Sequence, residues 1–139
     1  MSDDFDAIVG DIDDELDLTL YSDAAELSEE VTVQILAAIE KGLKLKSQFH
    51  LVLTGGTLGM QISEALVNEF NADPDGFAGL HIWWSDERFV DTDSNDRNAA
   101  PLHDTVENKN IVIHESLAPN TPATIEEAVD HYAAALAGV

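Results

Sequence analysis

The sequence contains no cysteine, and only 6 of its 139 residues are lysine or arginine. Without cysteine there can be no disulfide and no thiolate metal ligand, which fits a reducing compartment. The scarcity of basic residues argues against nucleic-acid binding as the main role, because DNA and RNA are bound through a basic surface that displaces their counterions. An anionic membrane surface is disfavoured for the same reason.

Long hydrophobic segments are also missing. No apolar run approaches the roughly 20 residues that a helix needs to span a bilayer, and the amino terminus is acidic where a signal peptide would be basic. From these absences we expect a cytoplasmic protein that binds neither nucleic acid nor membrane.

Acidic residues dominate what is present. The 28 Asp and Glu residues leave a formal net charge of −22, which suits either a salt-rich environment or simple solubility. Hydrophobic residues make up 45% of the chain, enough for the core of one domain. Seven acidic residues lie within residues 1–15, where we predict a flexible tail. The folded domain is predicted to span residues 16–139.

Hydrophobic periodicity predicts strands that alternate with helices along this domain. Such alternation is typical of an α/β fold, here a Rossmann-like three-layer domain with a parallel sheet covered on both faces. Trp83 and Trp84 are then expected to lie on opposite faces of the sheet. Residues 85–98 are predicted to form a long functional loop. The strands are predicted at 16–21, 49–53, 80–84 and 110–114, and the helices after Asp23, after Gly56, around 98–105 and from Thr124 to about 137.

In an open parallel sheet, ligands bind beyond the carboxyl ends of the strands, and two such segments stand out. The first is LTGGTLG at 53–59, where Gly55 and Gly56 allow the backbone to approach a ligand and the following helix offers free amides to an anion. The segment lacks the lysine of a Walker loop and the spacing of a dinucleotide fingerprint. Taken alone, it is equally compatible with a tight structural turn.

The second segment places Asp86, Glu87 and Arg88 directly after the strand at 80–84. An anionic ligand that approaches a chain of charge −22 needs a local cation, and the guanidinium of Arg88 suits phosphate or carboxylate oxygens. Asp86 could hold that guanidinium by hydrogen bonding. The alternative is a structural ion pair at the base of the loop. Asn95 is expected to shape the loop through bonds to its backbone.

Together, LTGGTLG and WWSDERFVDTDSNDRN make the chain resemble the 6-phosphogluconolactonase family from about residue 16 to its end. In that family a Gly-Gly-Ser-Thr-like turn ends one strand, and Asp-Glu-Arg and a later Ser-Asn follow a strand that bears tryptophan. Related glucosamine-6-phosphate deaminases usually continue Asp-Glu with an aromatic residue, so Arg88 favours the lactonase. Leu58 and Gly59 depart from the family, where Thr-Pro is usual, and we expect a less rigid loop there.

The resemblance implies hydrolysis of 6-phosphogluconolactone, a phosphorylated sugar lactone, to 6-phosphogluconate in the pentose phosphate pathway, without metal or organic cofactor. It assigns phosphate binding to Gly55, Gly56 and Thr57. Arg88 would contact the substrate as a catalytic residue, and Asp86 would orient the site.

The resemblance also implies a histidine base from a Gly-x-Gly-x-Asp-Gly-His segment, which this sequence does not contain. We therefore expect a domain truncated at its carboxyl end that binds phosphosugar weakly, hydrolyses lactone poorly, and self-associates through an exposed sheet edge or loses stability. His114 lies on the correct edge of the sheet but is not the family's base. His50 and His81 are predicted to be packed or surface residues near strand starts, and His103 and His131 to lie on helices.

Three other functions remain open from the sequence. The chain could be an amino-sugar phosphate deaminase or isomerase, or a non-catalytic module that binds sugar phosphates. It could also be an acidic α/β domain in which the glycine turn and Arg88 are purely structural.

Overall fold

The structure is a computed structural model that describes residues 17–139. In this part of the chain, three helices and three strands form an α/β fold with a single three-stranded parallel sheet, which confirms the predicted class. No helix separates the second described strand from the third. No helix within residues 17–139 is both long and apolar enough to cross a membrane. The elements are α1 (Ala24–Leu45), β1 (Phe49–Leu53), α2 (Gly56–Ala72), β2 (Leu80–Trp84), β3 (Val112–Ile113) and α3 (Ile125–Leu136).

The first helix begins and ends where the sequence predicts. The carboxylate of Asp23 accepts the backbone N–H of Glu26 at 2.8 Å, which satisfies one of the free amides at the start of α1. Lys44 lies in the last turn, where a positive charge is favourable beside the unpaired carbonyl groups. Ile39 faces inward and is fully buried in the core.

The main core lies between one face of the sheet and the two helices α1 and α2. Leu80, Ile82 and Trp84 alternate along β2 and point into this core, where they join Leu66 and Phe70 of α2. Trp83 lies between them in sequence and points to the other face, so the expected division of the tryptophan pair is confirmed.

Helix α3 covers part of that second face. The hydroxyl of Tyr132 accepts the backbone N–H of Trp84 and donates to the carbonyl of His114, both at 2.9 Å, so α3 is tied to the ends of β2 and β3. The sheet therefore has helices on both sides, as predicted. Val52 and Val112 remain 58% and 44% exposed beyond the helix.

Three predicted elements differ from the structure. Residues 17–21 form no strand despite their alternating pattern, because no described strand lies beside them to supply hydrogen bonds. The predicted helix at 98–105 is a series of turns. Most backbone hydrogen bonds there span three residues, as from Leu102 to Ala99, and Asp104 has φ +55°, outside the helical region. The strand at 110–114 is shortened to Val112–Ile113.

Two other expectations are not decided by these elements. The flexible tail at 1–15 lies outside the described residues, as does residue 16 of the predicted first strand. Within the described sheet β1 and β3 are the outer strands. Self-association through such an edge stays a prediction.

Candidate anion-binding site

The diglycine turn joins β1 to α2 and leaves the start of the helix open. Gly55 is the capping residue and supplies no side-chain acceptor, and the first turn of α2 contains no acidic residue. Gly56 has φ +81°, a conformation that favours glycine, and it faces open space. The first amides of α2 are therefore unopposed by negative charge on their own helix, which is the arrangement that attracts an anion.

Gly59, one of the two departures from the family pattern, has a packing role in this turn. A Cβ atom at Gly59 would lie 2.4 Å from the carbonyl oxygen of Thr54, so any larger residue would push the start of α2 away from the end of β1. The glycine thus permits the close approach of strand and helix.

The loop after β2 is organised around the carboxylate of Glu87. This carboxylate accepts the backbone N–H groups of Arg88 at 2.8 Å and of Ala99 at 2.9 Å, and it also accepts that of Asn98. One side chain thereby connects the first residues of the loop to residues eleven and twelve positions later.

Arg97 provides the positive charge beside Glu87. Its side chain is 0% exposed, its Nε lies 3.8 Å from Oε2 of Glu87, and its Nη2 donates to the carbonyl of Ser116 at 3.0 Å. Glu115 lies 3.7 Å from the same Nη2. Sequence reasoning did not single out Arg97, because nothing local distinguishes a buried arginine in a polar loop from an exposed one.

In contrast to Arg97, Arg88 is exposed. Among residues 17–139 its guanidinium forms no hydrogen bond or ion pair. The expected hydrogen bond from Arg88 to Asp86 is therefore absent, and Asp86 accepts the side-chain amide of Asn98 at 3.1 Å. The structural ion pair considered as an alternative is absent as well, and the guanidinium of Arg88 is open to a ligand.

The downstream part of the loop is shaped by Ser94 and not by Asn95. The Ser94 hydroxyl accepts the backbone N–H of Asp96 at 3.2 Å, while the exposed Asn95 side chain has no hydrogen bond within the described chain. The prediction for Asn95 was wrong by one position, since both residue types favour such turns.

A cavity of about 360 Å³ opens between this loop and α3, next to Arg88. Its walls are largely apolar, from Trp84, Phe89, Ile125, Val129 and Leu136. The diglycine turn does not line it. The polar side chains of Asp86 and Arg88 also line this cavity. Because a sugar phosphate is polar, the apolar walls do not suit such a ligand. The diglycine turn and Arg88 follow the adjacent strands β1 and β2 at the same edge of the sheet.

The histidines of the sheet pack together on the face opposite the main core. Nε2 of His114 lies 3.0 Å from Nδ1 of His81, the His114 ring stacks on Trp83 at 3.7 Å, and Trp83 donates to Nδ1 of His50 at 3.1 Å. Burial lowers the pKa of His81 and of His114, and the neighbouring imidazoles lower both further. His50 and His81 are thus packed as expected, and His114 is occupied by its neighbours.

The two remaining histidines differ from each other. His103 lies in a turn, which corrects the predicted helical position, whereas His131 lies on α3 as predicted. Nδ1 of His103 is 3.0 Å from the carboxylate of Glu115, and this hydrogen bond raises the pKa of His103. The described residues contain no group of three or more side chains placed to bind a metal ion.

Comparisons of the sequence and of the structure with known proteins point to the same family. A family described as glucosamine-6-phosphate isomerases/6-phosphogluconolactonase matches residues 22–139. A curated relative from Streptomyces coelicolor, a 6-phosphogluconolactonase, is 27% identical over 126 residues, which cover 86% of this chain and 48% of the relative.

Solved structures show the same fold. A 6-phosphogluconolactonase from Thermotoga maritima superposes with a TM-score of 0.59 at 26% identity, covering 76% of this chain and 47% of that protein. A structure from Neisseria gonorrhoeae superposes with a TM-score of 0.62 at 23% identity, covering 81% of this chain and 49% of that one. The chain thus spans about half the length of the proteins that it matches.

The two arginines should respond very differently to substitution. Arg97→Met leaves the Glu87 carboxylate without its buried counter-charge and should lower the free energy of unfolding by about 3 kcal/mol or more. Arg88→Met removes the same charge from the surface and should change it by less than about 0.5 kcal/mol. Urea unfolding followed by circular dichroism measures both. Equal effects of the two substitutions would contradict the assignment.

Acid should weaken the fold through the histidine cluster. The pKa values of His81 and His114 are lowered in the folded state. Their contribution to the free energy of unfolding is therefore fully present above about pH 6.5 and is lost as the pH falls below it. His103 has the opposite sign, since its raised pKa stabilises the fold below that pH. Between about pH 7.5 and about pH 5.5, His81→Asn should therefore lose less unfolding free energy than the wild type, and His103→Asn more. If His81→Asn loses as much as the wild type, the assignment is wrong.

Proposed function

Because the chain belongs to the glucosamine-6-phosphate isomerase/6-phosphogluconolactonase family, we propose that it forms the phosphate-binding part of a 6-phosphogluconolactonase-type site. The substrate would be a phosphorylated sugar lactone of the pentose phosphate pathway, in the cytoplasm. The observation that carries this proposal is the exposed, unopposed start of α2 at the end of β1, with the unpaired Arg88 after the adjacent strand β2 at the same edge of the sheet.

In this proposal the phosphate is bound by Gly55, Gly56 and Thr57 together with Arg88. The backbone amides at the start of α2 offer hydrogen bonds and the positive end of the helix dipole. The guanidinium adds a full charge and a planar pair of donors. Both are needed, because the net charge of −22 repels an anion at longer range.

Asp86 is proposed to orient the substrate from the same edge. Its carboxylate is held by the Asn98 amide, at 3.1 Å from Nδ2, and is exposed next to Arg88. In the hydrolysis, water adds to the lactone carbonyl carbon, the ring ester bond breaks, and the former ring oxygen takes up a proton as a hydroxyl group. The reaction needs no cofactor, but it needs a base to accept the proton from water.

Four of the five described histidines are already engaged by neighbouring side chains, and the fifth, His131, is exposed on α3. His114, His81 and His50 contact one another and Trp83, and His103 is paired with Glu115. The sequence contains no Gly-x-Gly-x-Asp-Gly-His segment either. We therefore assign substrate binding to this chain and leave the proton-transfer step without a residue.

A non-catalytic module that binds sugar phosphates is the second candidate, and the occupied histidines favour it. Glucosamine-6-phosphate isomerases also belong to this family by its description. For the related deaminases, Arg88 in place of the usual aromatic residue argues against that activity. Ammonia release from glucosamine 6-phosphate would identify the deaminase.

Binding of 6-phosphogluconate tests the proposed phosphate site. Isothermal titration calorimetry should detect 6-phosphogluconate and no gluconate, and Arg88→Ala should weaken binding about tenfold or more, roughly 1.4 kcal/mol. Lys109→Ala is the matched control, since it removes one exposed positive charge before β3, at the opposite edge of the sheet. Equal weakening by both variants would indicate general charge, not a site.

Turnover by the 139-residue polypeptide tests the missing base. In a coupled assay that follows 6-phosphogluconate formation, it should raise the rate little above spontaneous hydrolysis, because binding without proton transfer gives little acceleration. A full-length homologue serves as the positive control. Turnover comparable to that homologue would show that a base is present among these residues.

A further inference from the structure

Asn98 joins the two halves of the proposed site. Its side-chain Nδ2 donates to the backbone carbonyl of Asp86 and to the Asp86 carboxylate, both at 3.1 Å. Its Oδ1 lies against Gly55 in the diglycine turn. The residue is only 7% exposed. One buried amide therefore contacts the segment after β1 and the segment after β2 at the same time.

The backbone of Asn98 is fixed independently of its side chain. Its N–H donates to Glu87, which also accepts the N–H groups of Arg88 and Ala99. Because this backbone is held by Glu87, the Asn98 side chain is kept at a fixed position against the diglycine turn. An amide held in this way fixes the position of the segment after β1 relative to the segment after β2.

Gly55 provides the space that this contact requires. A Cβ atom on Gly55 would lie 2.0 Å from Oδ1 of Asn98, far inside contact distance, whereas a Cβ atom on Gly56 would meet nothing. The two glycines therefore have different roles. Gly55 admits the Asn98 amide, and Gly56 gives the turn its left-handed conformation.

We propose that Asn98 is a positioning residue that fixes the distance between the phosphate-binding turn and Asp86, the residue proposed to orient the substrate. The inference rests on the proposed function, because it concerns a ligand that spans both sides. Asn98 is buried and need not touch the ligand. Its contribution is to hold two binding surfaces at the separation that one phosphosugar requires. The entropic cost of ordering these two segments is then not paid when the ligand binds.

Comparing a ligand that spans the site with one that does not tests this role. Asn98→Ala should weaken 6-phosphogluconate binding about tenfold and inorganic phosphate binding by less than about twofold. In the proposed site, phosphate is held by the turn and by Arg88, whose backbone N–H stays bonded to Glu87, and it need not extend to Asp86. Asn95→Ala is the matched control, an exposed asparagine in the same loop, and should change neither. Equal losses of both ligands in Asn98→Ala would overturn the proposal, since general loosening of the loop predicts that result.

A double-mutant cycle tests the contact without any ligand. Gly55→Ala should lower the melting temperature by about 5 °C or more when Asn98 is present. In the Asn98→Ala background the same substitution should cost much less, because the atom it would clash with is gone. Additive losses would show that Asn98 does not lie against Gly55, and the proposal would fail.

The two measurements separate this inference from the proposed function. If the wild type binds neither phosphate nor 6-phosphogluconate, the proposed function fails. The positioning role is then wrong as well, because no ligand spans the site. A non-additive cycle would in that case show only that the amide joins the two segments. If the wild type binds both ligands and Asn98→Ala binds both as tightly as the wild type, the proposed function stands and the positioning role is wrong.

Discussion

The carboxylate of Glu87 is the group on which the geometry of the loop after β2 depends. It accepts three backbone N–H groups, and the buried guanidinium of Arg97 lies 3.8 Å away as its counter-charge. A negative charge with several donors and a nearby cation can be held away from water, whereas an unpaired one cannot. With Glu87 turned inward, its neighbours Asp86 and Arg88 remain exposed at the carboxyl end of the sheet.

The proposed site must attract an anion to a very acidic chain. One of its two arginines is used inside the fold, where it balances Glu87 and approaches Glu115. The other, Arg88, is left without a partner in the described residues. It follows the strand adjacent to the one that leads into α2, whose first turn has no acidic residue. Local positive potential therefore comes from one guanidinium and a set of backbone amides, against a repulsive background that salt would screen.

The sequence predicted the elements that have strong local signals. The capping pattern at Asp23, the apolar strands β1 and β2 and the cap of α3 at Thr124 were all found from periodicity and cap chemistry. It failed at residues 17–21, where a strand would need a neighbouring strand to pair with. It also failed at residues 98–105, where turns and the positive φ of Asp104 replace a regular helix. Arg97 and Asn98 were missed for a related reason: their roles come from contacts with Glu87 and Gly55, which no spacing along the chain reveals.

The central claim is that the amides of the diglycine turn and the guanidinium of Arg88 bind the same anionic group. A titration of the 15N-labelled chain with 6-phosphogluconate, followed by nuclear magnetic resonance, tests it most directly. The account predicts that the backbone amides of Gly56 and Thr57 and the Nε–H of Arg88 shift together with a single dissociation constant. Shifts at only one of the two places, or at neither, would contradict it.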